Sequence, residues 1–151
     1  MNIHLLENGN YQVAVSENEK NLINFISDEV KSFIHRRGGE ASRLFPSAYI
    51  DQPEAENEYQ TMIHDDLASA HILALETLNK SLAKPEVTEN DLVEIMRALN
   101  ILRLFLGERL NISEDYEDNP SETDPSYDIW ILFQIFGQML SSIINVLQEK
   151  I

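Results

Sequence analysis

The chain has 151 residues, enough for one domain that buries roughly 68–70% of its unfolded surface. It contains no cysteine, which excludes disulfides, thiolate-held zinc and thiol catalysis. With 26 acids against 11 Lys and Arg the formal net charge is −15, which repels a phosphate backbone and argues against sequence-independent nucleic-acid binding.

The chain opens with two short β-favouring runs around Asn8-Gly9, which predicts a hairpin over about 2–15. A two-residue type I′ turn would set Leu6 beside Tyr11 and His4 beside Val13. Met1 leads into Asn-Ile-His rather than a basic and then apolar run, so no secretory leader is expected.

Ser16 and Glu19 have the spacing of a capping box and start a helix over about 17–37. Its apolar stripe is Leu22, Ile26, Val30 and Phe33, widened by Ile23 and Ile34. Gly38-Gly39 can terminate it.

The connector SRLFPSAYIDQPE follows, with Pro46 preventing a continuous helix. A second helix is expected over about 53–82, with Asp51 as cap and Pro53 in its first turn. Its expected apolar line is Ala55, Tyr59, Met62 or Ile63, Leu67, Ala70, Ala74 and Leu78.

Lys84-Pro85 interrupts the chain, and Thr88 with Asp91 marks the next cap. The third helix, about 89–110, is apolar on most of its circumference and reads as central. Residues 113–126 carry six acids, two prolines and no aliphatic side chain, and read as a solvated acidic loop. The last helix, about 127–149, shows one polar stripe of Gln134, Gln138, Ser141, Asn145 and Gln148.

Residues 129–147 are the most apolar stretch, but Gln134, Gln138, Ser141, Ser142 and Asn145 make it too polar for a lone membrane span. The expectation is a mostly α protein of the cytoplasm, with no membrane and no nucleic-acid partner. It is read as a single-domain four-helix bundle with a short N-terminal β-hairpin.

Two stretches invite a functional reading. In ALNILRLFLGERL (98–110), Asn100, Arg103 and Gly107 share one helix face. A buried guanidinium demands acceptors, so Arg103 and Asn100 are expected to fasten the RLFPSAY loop and the Glu54–Glu58 turn. On that reading Arg103→Ala loses ~3–5 kcal/mol, and Gly107 lets another segment approach. The competing reading is a carboxylate or phosphate pocket built from Arg103, Asn100 and Arg43.

In the loop itself, Leu44, Phe45 and Tyr49 surround Pro46, which is much apolar surface for a connector. It either plugs the end of the bundle or anchors a partner protein, together with Tyr127 and Trp130.

Catalytic constellations are poorly supported. His35, His64-Asp65 and Asp124 or Asp128 mimic the ligand order of a metal phosphohydrolase, although exposed histidines are the plainer reading. Glu54 and Glu58 could share a proton only if buried. No P-loop, dinucleotide fingerprint or Glu-x-x-His pair occurs, so no cofactor is implied.

Arg43-Leu44-Phe45-Pro46-x-Ala48-Tyr49, an acidic helix start, then Ala98-Leu99-Asn100-x-Leu102-Arg103-Leu104-x-Leu106-Gly107-x-Arg109-Leu110, an acidic spacer and Tyr127-x-x-Trp130 form an ordered set. This pattern resembles the actinobacterial domain-of-unknown-function family two-thousand-seventeen, over nearly the whole chain. That family has no established activity. The resemblance implies a gene neighbourhood shared with the Clp protease adaptor for N-degron substrates. Gln60 stands where such sequences often carry arginine, and Ile101 where an acid is common. Both departures thin the polar network between the second and third helices.

The reading favoured by the sequence is a non-enzymatic protein-interaction or regulatory domain, with Clp-type proteolysis as the implied setting. The alternatives are a small anionic-ligand sensor and, more remotely, a metal-dependent hydrolase. The broad apolar arc of the last helix is also compatible with a homodimer.

Overall fold

The computed structural model describes residues 1–36, 42–110 and 120–149. Its elements are β1 (Asn2–Leu5), β2 (Tyr11–Ala14), α1 (Glu17–Arg36), α2 (Pro53–Leu82), α3 (Glu89–Arg109) and α4 (Tyr127–Glu149). The mostly α architecture with an N-terminal hairpin is as expected. Gly38-Gly39 and most of the acidic loop, residues 113–119, lie outside the described residues.

The hairpin register differs from the expected one. Leu5 pairs with Tyr11, His4 with Gln12, Ile3 with Val13 and Asn2 with Ala14. The loop has three residues, Glu7-Asn8-Gly9, closed by Gly9 N–H to Leu6 O at 3.0 Å and Leu6 N–H to Asn10 O at 2.8 Å. Gly9 takes a φ of +86°, as such loops demand of their last residue.

The one-residue difference decides what Tyr11 faces. Its side chain is fully buried, and its backbone exchanges two 2.8 Å hydrogen bonds with Val87 in the α2–α3 connection. Asn8 and Asn10 also donate to Glu86, at 3.1 and 2.8 Å. The hairpin is thereby stapled across the turn between two helices far along the chain, while β1 packs on α4.

Both expected capping boxes are present. Ser16 and Glu19 exchange bonds of 3.0 and 3.1 Å at the start of α1, and Thr88 and Asp91 bonds of 3.0 and 3.1 Å at the start of α3. Helix α2 is different: Gln52, not Asp51, occupies its cap position and makes no side-chain cap bond. Pro53 removes one orphan N–H there. At α4, Asp124 accepts from Ser126 N–H at 2.8 Å and from Ser126 Oγ at 2.7 Å.

Helix α3 is central, with Leu92, Ile95, Ala98, Leu99, Leu102 and Leu106 buried, and its largest interfaces are with α4 and α2. Helix α1 closes the bundle through Ile23, Ile26, Val30 and Ile34. Helix α4 is long and apolar enough to cross a membrane, and it buries Phe133, Phe136, Met139, Leu140 and Ile143 within the domain.

In the expected apolar line of α2, Ile63 rather than Met62 turns inward: Ile63 is half-buried and Met62 78% exposed. Leu78 is buried as expected, Ala70 faces solvent instead, and Gln60, Leu75 and Ser81 are buried outside that line.

Candidate functional site

The connector between α1 and α2 turns inward at Leu44 and Phe45, which are 3% and 0% exposed. Phe45 lies between two histidines of α2, its ring centroid 5.6 Å from His64 and 5.4 Å from His71. His71 Nε2 bonds the carbonyl oxygen of Leu44 at 2.9 Å, which sets Nε2 as the protonated nitrogen. His64 and His71 are therefore half-buried packing groups rather than the exposed histidines expected.

Gln60 completes the anchorage. Its Nε2 donates to Phe45 O and Pro46 O, both at 3.2 Å, and approaches Glu56 Oε1 at 3.3 Å. Glu56 in turn accepts from the N–H groups of Ala48 at 3.0 Å and Tyr49 at 3.3 Å. Burial pushes the Glu56 carboxyl up, but the Gln60 amide and the Ala48 and Tyr49 N–H groups outweigh it and hold the group below the usual carboxylate range. From the far side, Glu108 of α3 accepts from Arg43 N–H at 2.9 Å.

Gln60, His71, Glu56 and Glu108 thus do the fastening expected of Arg103 and Asn100. Asn100, Glu54 and Glu58 are exposed, as is Pro46. Glu54 and Glu58 pair with neither Arg43 nor Arg103, and their exposure removes the reason for a shared proton.

The arginines occupy other places. Arg103 lays its guanidinium over the Phe133 ring at 4.2 Å, on the α4 side of α3. Among the described residues its buried Nε has no hydrogen-bond partner, and it joins no salt bridge. Arg43 lies against Gly107: a Cβ on that glycine would stand 2.5 Å from Arg43 Nη1 and 3.2 Å from the Phe133 ring. Arg109 is exposed, 5.1 Å over Phe105.

Two α3–α4 hollows border Arg103. One, about 430 Å³, is lined by Arg97, Asn100, Leu140 and Ser141 among others. The second, about 470 Å³, runs along Gln134, Gln138, Ser142 and Asn145.

Of the candidate partner-binding residues, Leu44 and Phe45 are core and drop out, while Tyr49 is 45% exposed. Tyr127 and Trp130 stack at 5.9 Å and are half-buried. Ile50, at 86% exposure, went unremarked in the sequence, although it adjoins Tyr49. The His35, His64-Asp65 and Asp124/Asp128 set does not converge: among the described residues no group of three His, Cys, Asp or Glu side chains could hold a metal ion.

The two motifs that carry the family resemblance meet at Gly107, where Arg43 of the loop touches α3. No curated protein and no solved structure matches the chain. A family model described as a domain of unknown function, DUF2017, matches residues 6–147, and the chain belongs to that family.

Proposed function

We propose that the domain is a non-enzymatic protein-interaction module whose docking element is the tip of the 42–52 loop. The observation that carries this is Ile50, 86% exposed beside the 45% exposed Tyr49, on a loop pinned at its root by Gln60 and Glu56. A loop ordered in advance loses little further entropy when a partner arrives. Tyr49 also meets Tyr59 of α2 edge-on at 6.0 Å, and Met62 stands exposed one turn further on. Together they make an aromatic and apolar anchor of the kind binding hot spots use.

Charge supplies the partner's character. From Leu44 to Asn79 the chain carries Asp51, Glu54, Glu56, Glu58, Asp65, Asp66 and Glu76, with no Lys or Arg. A partner with a basic rim around an apolar contact complements it. The resemblance to the family adds Clp-type regulated proteolysis in the cytoplasm as the setting.

The test is affinity capture from native lysate with the wild-type chain and with Ile50→Asp, followed by mass spectrometry and by light scattering of the purified proteins. Proteins retained by the wild type and lost by the variant support the reading. Equal capture by a folded Ile50→Asp variant overturns it. A wild-type dimer that Ile50→Asp dissociates makes the occupant a second copy instead.

A further inference from the structure

We infer that the α3–α4 groove around Arg103 is a binding site for a small molecule bearing an oxyanion, a carboxylate or a phosphate. This site is independent of the docking role of the 42–52 loop.

A guanidinium brings five donors and a permanent charge, and burying any of it calls for acceptors. Among the described residues the buried Nε of Arg103 has no acceptor and no carboxylate pairs with the guanidinium. The Phe133 face supports the charge at 4.2 Å but offers the N–H groups no lone pair.

Space has been left for this arrangement. Gly137 interrupts an otherwise bulky apolar helix, and a Cβ there would lie 3.3 Å from Arg103 Nε. The two hollows share Arg103, Gly137 and Ser141 in their walls, and so adjoin as a corridor along the guanidinium. Asn100 and Gln138 add amide donors to its walls, and Ser141 a hydroxyl. Arg97 borders it as well, paired with Glu94 at 2.9 Å.

Among the described residues the lining therefore carries two guanidiniums and no carboxylate, in a chain of net charge −15. An oxyanion in the corridor gives Arg103 the two-pronged pair that no described residue provides, with amide donors beside it. A hollow of about 430 Å³ also accommodates a body attached to the anionic group, against Leu140 and Met96.

The experiment is a titration of the ¹⁵N-labelled full chain with inorganic phosphate and, separately, with succinate, at constant ionic strength set by chloride. The readout is the Arg103 Nε–Hε resonance together with the backbone amides of Asn100–Arg103 and Gly137–Ser141. Saturable shifts confined to this face are expected, and the tighter of the two anions identifies the ligand class. Arg103→Gln is expected to abolish them. Asn100→Leu, at an exposed position outside the core, is expected to weaken binding about 10-fold and decides the matter alone if Arg103→Gln does not fold. Absence of a saturable shift with either anion overturns the proposal, as does unchanged binding by Asn100→Leu together with a folded Arg103→Gln. Ile50→Asp leaves the titration as in wild type, which separates this site from the docking loop.

Discussion

The side-chain amide of Gln60 donates to the carbonyl oxygen of Phe45 at 3.2 Å, inside the protein, where Gln60 is 2% and Phe45 0% exposed. The same nitrogen reaches Pro46 O at 3.2 Å. One amide on α2 thereby satisfies the root of a loop that cannot form regular structure around its proline. Replacing Gln60 by Leu keeps much of the volume, removes this donor from Pro46 O and leaves Phe45 O the Ser42 N–H at 3.0 Å. A loss of about 1–3 kcal/mol is expected in urea unfolding. Gln60→Arg is expected to lose less, because a guanidinium can serve both carbonyls and Glu56. An unchanged midpoint for Gln60→Leu would show that the loop root does not depend on this amide.

Glu56 makes the loop anchorage pH-dependent. Its folded-state pKa lies below the ordinary value of 4.5, so protons bind more readily to the unfolded chain. The contribution is complete above about pH 4.5 and is lost as pH falls through the lower folded value. The stability difference between wild type and Glu56→Gln is therefore expected to be constant near neutrality and to shrink on acidification below that point. Comparing the two proteins cancels the relief of acid–acid repulsion that a −15 chain also experiences. A difference that grows as pH falls contradicts the assignment.

These two residues also show where the sequence is legible. Capping boxes at Ser16 and Thr88 are local chemistry, so the helix starts can be read directly. The Asn8-Gly9 pair fixes a hairpin but not its parity, because two- and three-residue loops both place Gly at a positive φ. The partner of Arg103 is not legible for a different reason: α4 is apolar on nearly every side, so its sequence does not say which face meets α3. Only packing shows that Gly137 and Phe133 face Arg103. The fasteners did leave a signal. Glu56, Gln60, His64 and His71 recur at spacings of four, four and seven residues along α2, a polar line beside its apolar one.

Arg103 tests the corrected arrangement energetically. A buried ion pair would make Arg103→Ala cost ~3–5 kcal/mol. The observed contact is a guanidinium on the Phe133 ring with no paired carboxylate among the described residues. The expected loss is therefore about 0.5–2 kcal/mol, by urea unfolding at moderate salt. A loss well above ~3 kcal/mol would mean that Arg103 meets an acceptor absent from the described arrangement.

Gly107 and Arg43 should be coupled. A methyl at Gly107 meets Arg43 Nη1 at 2.5 Å and the Phe133 ring at 3.2 Å. Alanine gains about 1 kcal/mol of helix propensity over glycine, but here it must push a guanidinium aside. In the wild-type background Gly107→Ala is expected to be neutral or destabilising. In an Arg43→Ala background the same change is expected to recover part of that propensity gain. A double-mutant cycle measures the coupling, expected at about 0.5–1 kcal/mol. Additive effects would mean that Arg43 does not rest on this glycine.

Gly9 reports on the staple between the hairpin and the helices. A Cβ there would meet nothing within 4 Å, so any loss in Gly9→Ala comes from the backbone. At φ +86° an alanine is strained by about 1–2 kcal/mol, and Gly9→Asn is expected to be milder because asparagine visits that region more readily. An isolated hairpin would fray without consequence for the rest. This one shares backbone bonds between Tyr11 and Val87 and side-chain bonds to Glu86, so the strain is expected to lower the single global melting transition. Hydrogen exchange distinguishes the two cases. The Tyr11 and Val87 amides are expected to lose protection in step with the core amides of α3. Faster exchange at Tyr11 alone, with an unchanged melting temperature, would show that the hairpin opens independently of the bundle.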